Sequence, residues 1–182
     1  MSGTAFSFRM GAGFPGDVGR HFASIEPALI DASSPPTAYG QAVVIDQASN
    51  GVRPFAAGDT AITAPWGVTV RPYPIQQPQT NQDYGAIGFG SAAPPTSGAI
   101  DILRMGYIMT VLPAGSAAVK KGGAVFVWCA ATSGAHIQGG FESAASGGNT
   151  AALDTELYQF NGPADSNGNV EISVGFVGGA GT

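Results

Sequence analysis

Residues 100–112, Ile-Asp-Ile-Leu-Arg-Met-Gly-Tyr-Ile-Met-Thr-Val-Leu, are the longest strand-like run in the chain and decide its class. β-branched, aromatic and long apolar side chains crowd the run, in part alternating with polar ones, which suits a pleated, half-buried surface. The same character recurs outward in shorter pieces: 6–10 (FSFRM), 41–46 (QAVVID), 67–73 (GVTVRPY), 123–130 (GAVFVWCA), 135–141, 156–160 and 170–177 (VEISVGFV). Between them, 28 glycines and 13 prolines leave few windows long enough for a stable helix. One short helix is expected, around 150–156.

The connections carry turn chemistry. Ser49-Asn50-Gly51, Ala57-Gly58-Asp59, Asn161-Gly162-Pro163 and Asp165-Ser-Asn-Gly-Asn169 are rich in residues that tolerate positive φ, and they read as hairpin or loop tips. Long loops are expected at 74–95 and 143–153. The prolines of Arg71-Pro72-Tyr73-Pro74 remove two ladder donors, so that segment is expected at a sheet edge or leaving the sheet. With no βαβ alternation and no fixed-period repeat, the expected architecture is all-β. It is a single domain over 24–182, a β-sandwich of jelly-roll-like form or a distorted barrel, preceded by an extended N-terminal arm over 1–23.

At 182 residues the chain can bury roughly two thirds of the surface exposed when unfolded, so a core forms without staples. Only 10% of residues are charged, against about 25% in ordinary soluble domains. So few solvating charges point to a subunit packed among copies of itself or other partners. The net charge is −5 and the five arginines are scattered at 9, 20, 53, 71 and 104. No basic stripe exists to attract phosphates, which argues against nucleic acid as a direct partner. No window holds 18 apolar residues and the N-terminus lacks a signal peptide's basic start, so no membrane partner is expected and the chain is expected to fold in a cytoplasm.

Motifs for chemistry fail on context. Gly11-Ala-Gly13-Phe-Pro-Gly16 matches a dinucleotide-binding spacing, but Pro15 precedes the third glycine and no apolar helix stripe follows. The Asp165–Glu171 stretch starts like a calcium loop, then places Val170 where glycine is needed and Phe176 where a bidentate glutamate belongs. No Ser is flanked as in a nucleophile elbow. Cys129 lies in the apolar run 124–130 and reads as a small buried hydrophobe. With His21 and His136 as the sole histidines, no metal-ligand spacing appears. No catalytic, cofactor or metal residue is therefore assigned, and an enzyme would need a pocket where His136 or His21 meets a carboxylate.

Aromatic residues offer the rival reading, a glycan-binding β-sandwich module such as a head fibre or receptor-binding accessory protein. Its platform would draw on Trp66, Tyr73, Tyr84, Phe89, Tyr107, Trp128 and Tyr158. Trp128 and Tyr107, inside strand patterns, are expected in the core. Trp66, Tyr73 and Tyr84, near prolines and polar loops, are the ones expected at the surface.

Several stretches carry a resemblance: Phe14-Pro-Gly-Asp-Val-Gly-Arg20, Ser24-Ile-Glu-Pro-Ala-Leu-Ile-Asp31, Pro36-Thr-Ala-Tyr-Gly40, Val52-Arg-Pro-Phe-Ala-Ala-Gly-Asp59, Trp66-Gly-Val-Thr-Val-Arg-Pro72 and Lys121-Gly-Gly-Ala-Val-Phe-Val127. Together they resemble the structural cement, or capsid decoration, proteins of tailed bacteriophages. The resemblance implies a compact β domain on the outer surface of a virion capsid, bridging and stabilising subunits of the major capsid protein as a dimer or trimer. It implies no catalytic residues and no cofactor. It also gives the arm a role: Phe6, Phe8, Arg9, Met10, Phe14, Arg20 and His21 are expected to lie against a neighbouring subunit, since extended arms bind by strand addition and alternate side-chain anchors.

Overall fold

The computed structural model describes residues 13–20, 23–60, 64–72 and 93–175. Ten strands follow in order: β1 (Ser24–Leu29), β2 (Ala42–Ile45), β3 (Val52–Pro54), β4 (Gly67–Thr69), β5 (Ala99–Val111), β6 (Phe126–Trp128), β7 (Phe141–Glu142), β8 (Thr150–Ala152), β9 (Gln159–Phe160) and β10 (Asn169–Val174). The described elements besides these are two short 3-10 turns, at Ala57–Asp59 and Gly147–Asn149. All strand pairs are antiparallel, in a seven-stranded sheet ordered β3-β2-β4-β5-β10-β9 with β1 also on β5, and a three-stranded sheet ordered β7-β6-β8. Among the described residues the fold is all-β and sandwich-like, with no closed barrel.

β5 is the spine. Its first half pairs with both β1 and β4, and its second half pairs with β10 over the whole length of that strand. The ladder shifts register between Ser24 and Ile25, opposite Met105 and Leu103. Side chains therefore change face along β5: Leu103 and then Ile108 serve one core, while Ile100 and Ile102 serve another. Gly106 sits just past this irregularity at φ +146, and a Cβ there would lie 3.2 Å from Ala23 Cα. Only glycine lets the incoming chain press that close.

The larger core fills the space between the two sheets. Phe55, Val68, Leu103, Ile108 and Ile172 come from the large sheet side, and Val127, Cys129, Phe141, Ala151 and Leu153 from the small sheet side. A second cluster, Ile30, Tyr39, Val43, Val52, Ile100 and Ile102, covers the other face. A parallel bridge between Ile30 and Val52 joins the end of β1 to β3, so the strands curl around this cluster. Buried Gln41 ties the sheets' loops together: its side chain accepts from the Thr37 and Ala38 amides at 2.7 and 2.8 Å and donates to Gln138 O at 2.7 Å.

Several expectations are met and several corrected. Ser49-Asn50-Gly51 does turn the β2–β3 hairpin, with Asn50 at φ 53 and Asp46 capping the Ala48 and Ser49 amides at 3.0 and 2.9 Å. The chain leaves the sheet at Arg71-Pro72, although β4 itself lies between β2 and β5. The helix expected at 150–156 is instead β8 followed by a turn, because Ala151 pairs with Val127 and is buried against it. Over 135–141 only Phe141 is in a strand; Ser133 and His136 exchange backbone hydrogen bonds around Gly134 (φ +60), which turns the chain early. β1, with Glu26 and Pro27 in its middle, has little strand propensity and is imposed by pairing with β5. The Asp165–Asn169 stretch is a turn closed by Asp165 Oδ1, which accepts from the Asn167 and Asn169 amides at 2.9 and 2.8 Å.

Candidate interaction surface

Glycines at 13 and 16 and the short polar Asp17 let the incoming chain lie flat on the spine. Gly16 N donates to Met109 O at 2.8 Å, Met109 N to Asp17 O at 2.8 Å, and Gly19 N to Tyr107 O at 2.9 Å. Val18 bridges Ile108 and packs on the larger core. Residues 13–20 thus form a strap on the domain, fixed again where Arg71 N donates to Gly16 O at 2.9 Å.

Two of the arm residues expected at an interface are on this strap. Phe14 is 45% exposed and lies 5.1 Å below the Arg71 guanidinium. Arg20 closes the strap: its guanidinium lies 4.4 Å over the Tyr107 ring and forms an ion pair with Glu171, with Nε donating to Oε1 at 3.1 Å. The Glu171 hydrogen bond holds the Arg20 guanidinium above its ordinary value, against the opposing effect of burial. Phe6, Phe8, Arg9, Met10 and His21 lie outside the described residues.

A second surface was not signalled by propensity. Of β1, Ile25, Glu26, Pro27 and Leu29 are exposed, with Leu29 at 63% and Ile25 at 43%. Arg104 lies beside them, 3.7 Å from Glu26 and 4.1 Å over the Trp66 ring. Trp66 is consequently half-buried, packed on the second cluster and capped by a cation. Tyr107 is likewise covered by Arg20, and Trp128 and Tyr158 are buried; Tyr73, Tyr84 and Phe89 lie outside the described residues.

His136 does meet a carboxylate. Its Nδ1 is 2.7 Å from Glu142 Oε1, and its ring stacks on Trp128 with centroids 4.2 Å apart. A groove of about 660 Å3 runs past Glu142, lined also by Gln41, Thr110, Val119, Phe141 and Asp165. Among the described residues no hydroxyl or thiol is hydrogen-bonded to the His136 ring, so the pair lacks the nucleophile that a triad would activate. What the pair does is give buried Glu142 a partner and pin the 133–142 loop to the small sheet. Cys129 is buried, its thiol 3.7 Å from Gly148 O, and no group of three or more His, Cys, Asp or Glu capable of holding a metal occurs among the described residues.

The surface, then, is one of straps, edges and capped aromatics. Residues 3–174 match the family model of the XM1 gp53 minor capsid protein. The chain belongs to that family. Its fold is also similar to a chain of the solved capsid of Myoviridae phage XM1, with a TM-score of 0.61 and 15% identity, covering 95% of this chain and 97% of that one. None of the curated proteins matches. The minor capsid protein family is structural, and this chain is a capsid-associated structural protein of a phage virion.

Proposed function

We propose that this minor capsid protein binds the outer surface of the phage shell and stabilises it by bridging subunits of the major capsid protein, as a dimer or trimer. A molecule that binds only the assembled lattice stabilises it by mass action, and many modest contacts add through multivalency. The observation that carries the reading is the strap at 13–20. It is fixed to the spine by three backbone hydrogen bonds at Gly16, Asp17 and Gly19, so the chain ahead of Gly13 has a rigid root from which to reach a neighbour. That leading segment holds Phe6, Phe8, Arg9 and Met10, an apolar alternation with one cation and no acid. The small charge fraction and the exposed apolar residues of β1 add surface for such contacts.

The test is decoration of shells lacking this chain. Because the strap is part of the sheet, the truncation removes residues 2–12 and keeps Gly13 onward. Full-length protein should saturate shells at a stoichiometry near that of the major capsid protein and raise their resistance to heat; the truncated protein should fold, yet decorate at least tenfold more weakly. Equal decoration by both would refute the role given to the arm, and absence of binding to any shell would refute the outer-surface reading.

A further inference from the structure

β1 exposes what an edge strand ordinarily hides. Ile25, Pro27 and Leu29 alternate with Ala28 and Ile30, which pack on the second cluster, so the three share the opposite face. Across the ladder, Asp101 stands opposite Pro27 and Ala99 opposite Leu29, both exposed. The result is an apolar stripe that carries Asp101 on its own face. Pro27 offers no N–H, which prevents an added strand from running a full ladder along this edge, so the stripe is suited to receiving side chains.

We propose that this stripe receives residues 4–10 of a second copy of the chain, an inference that rests on the arm reading above. Three observations select that occupant. Phe6, Phe8 and Met10 recur at every second position, the same spacing as Ile25, Pro27 and Leu29, so an extended segment presents one apolar row to the other. Residues 1–12 contain Arg9 and no acid, whereas the stripe's own face carries Asp101. The path of the chain decides between copies. It runs along β5 from Gly16 at Met109, through Gly19 at Tyr107, to Ser24 at Met105 and Leu29 at Ala99. Gly13 and Gly16 both lie beside Met109, about 26 Å from Asp101 at strand rise. Met10 is three residues from Gly13 and reaches about 10 Å from that anchor, short of Ile25 opposite Leu103. A chain's own arm therefore cannot seat Phe6, Phe8 and Met10 on the stripe together, while a neighbour's can.

Thiol cross-linking in a Cys129→Ala background tests this directly. One preparation carries Thr4→Cys and another Ala99→Cys, both mixed and treated with a short bismaleimide. The expected product joins one chain of each kind. Adding Leu29→Asp, or Ile25→Asp as a second variant, to the Ala99→Cys preparation should lower that yield at least tenfold while circular dichroism remains unchanged. A chain carrying both cysteines that closes on itself at high dilution, or a yield indifferent to both β1 variants, would overturn the proposal. The arm reading is judged separately: if deletion of 2–12 weakens decoration but the β1 variants leave cross-linking intact, the arm stands and its receptor is elsewhere.

Discussion

Arg53 grips Asp59 with both terminal guanidinium nitrogens, Nη1 at 2.7 Å from Oδ2 and Nη2 at 3.0 Å from Oδ1. The same carboxylate accepts the Ala56 amide at 2.9 Å, so one acid fastens β3 to the 3-10 turn that follows it. Burial alone would push the Asp59 carboxyl up, but the Arg53 fork and the Ala56 amide outweigh it and hold the group below the usual carboxylate value. A carboxyl depressed in the folded state contributes stability that is complete above its unfolded value and lost as pH falls through the folded one. Asp59→Asn should cost about 2 kcal/mol at neutral pH, the scale of a charged hydrogen-bond pair, and flatten part of the acid limb of the stability profile. Urea unfolding of both proteins, at neutrality and in acid, reads both effects.

Tyr158 gives the alkaline counterpart. Its hydroxyl donates to Pro65 O at 3.1 Å in the larger core, and burial pushes it up to about 12, with Arg104 pulling the other way. A group whose neutral form is favoured by folding contributes stability that is whole below its unfolded value of about 10 and fades as pH climbs towards the folded one. The Tyr158 phenolate should therefore appear only as the fold is lost, which an ultraviolet titration followed alongside circular dichroism will show. Tyr158→Phe should remove that coupling at a cost of about 1 kcal/mol.

Phe141 is fully buried on β7 between the sheets. Phe141→Ala should destabilise by about 3–5 kcal/mol, transfer and cavity terms together. Because β7 has two residues and one partner strand, its loss should loosen the small sheet first. Hydrogen exchange at the Val127 and Trp128 amides should accelerate more than exchange along β10.

Gly16 sets the strap. It stands at φ +87, and a Cβ there would lie 2.6 Å from Tyr39 Cβ and 2.9 Å from Arg71 N. Gly16→Ala should cost about 1–2 kcal/mol from the left-handed backbone alone, with the clash added. Exchange at the Gly19 and Met109 amides should rise while the core unfolds as cooperatively as before; exchange unchanged at both would show that the strap is not held as described.

Much of the fold was legible because it is local. The run at 100–112 is a strand, the glycines and prolines break the chain into short elements, and Asn50-Gly51 turns a hairpin, all for reasons contained within a few residues. The resemblance to capsid decoration proteins pointed to a phage capsid protein, and the family match bears out that much. What misled was also local: Thr150–Ala152 looked helical and Ser24–Leu29 like no element at all, because neither has the propensity for the strand that its partner imposes.

Of the seven arm residues expected at an interface, Phe14 and Arg20 fall among the described residues, and both sit on the domain's own surface, Arg20 held there by Glu171 and Tyr107. No pattern in the sequence links positions 20 and 171, since an ion pair across so long a separation leaves no periodic trace. Composition and punctuation by themselves determined an all-β chain, poor in charge. Tertiary structure alone decided that 13–20 is strap rather than free arm, that His136 finds Glu142, and that β1 turns Ile25 and Leu29 outward. Those facts depend on which strands share an edge, and strand pairing is settled by packing across the whole molecule rather than by any one segment.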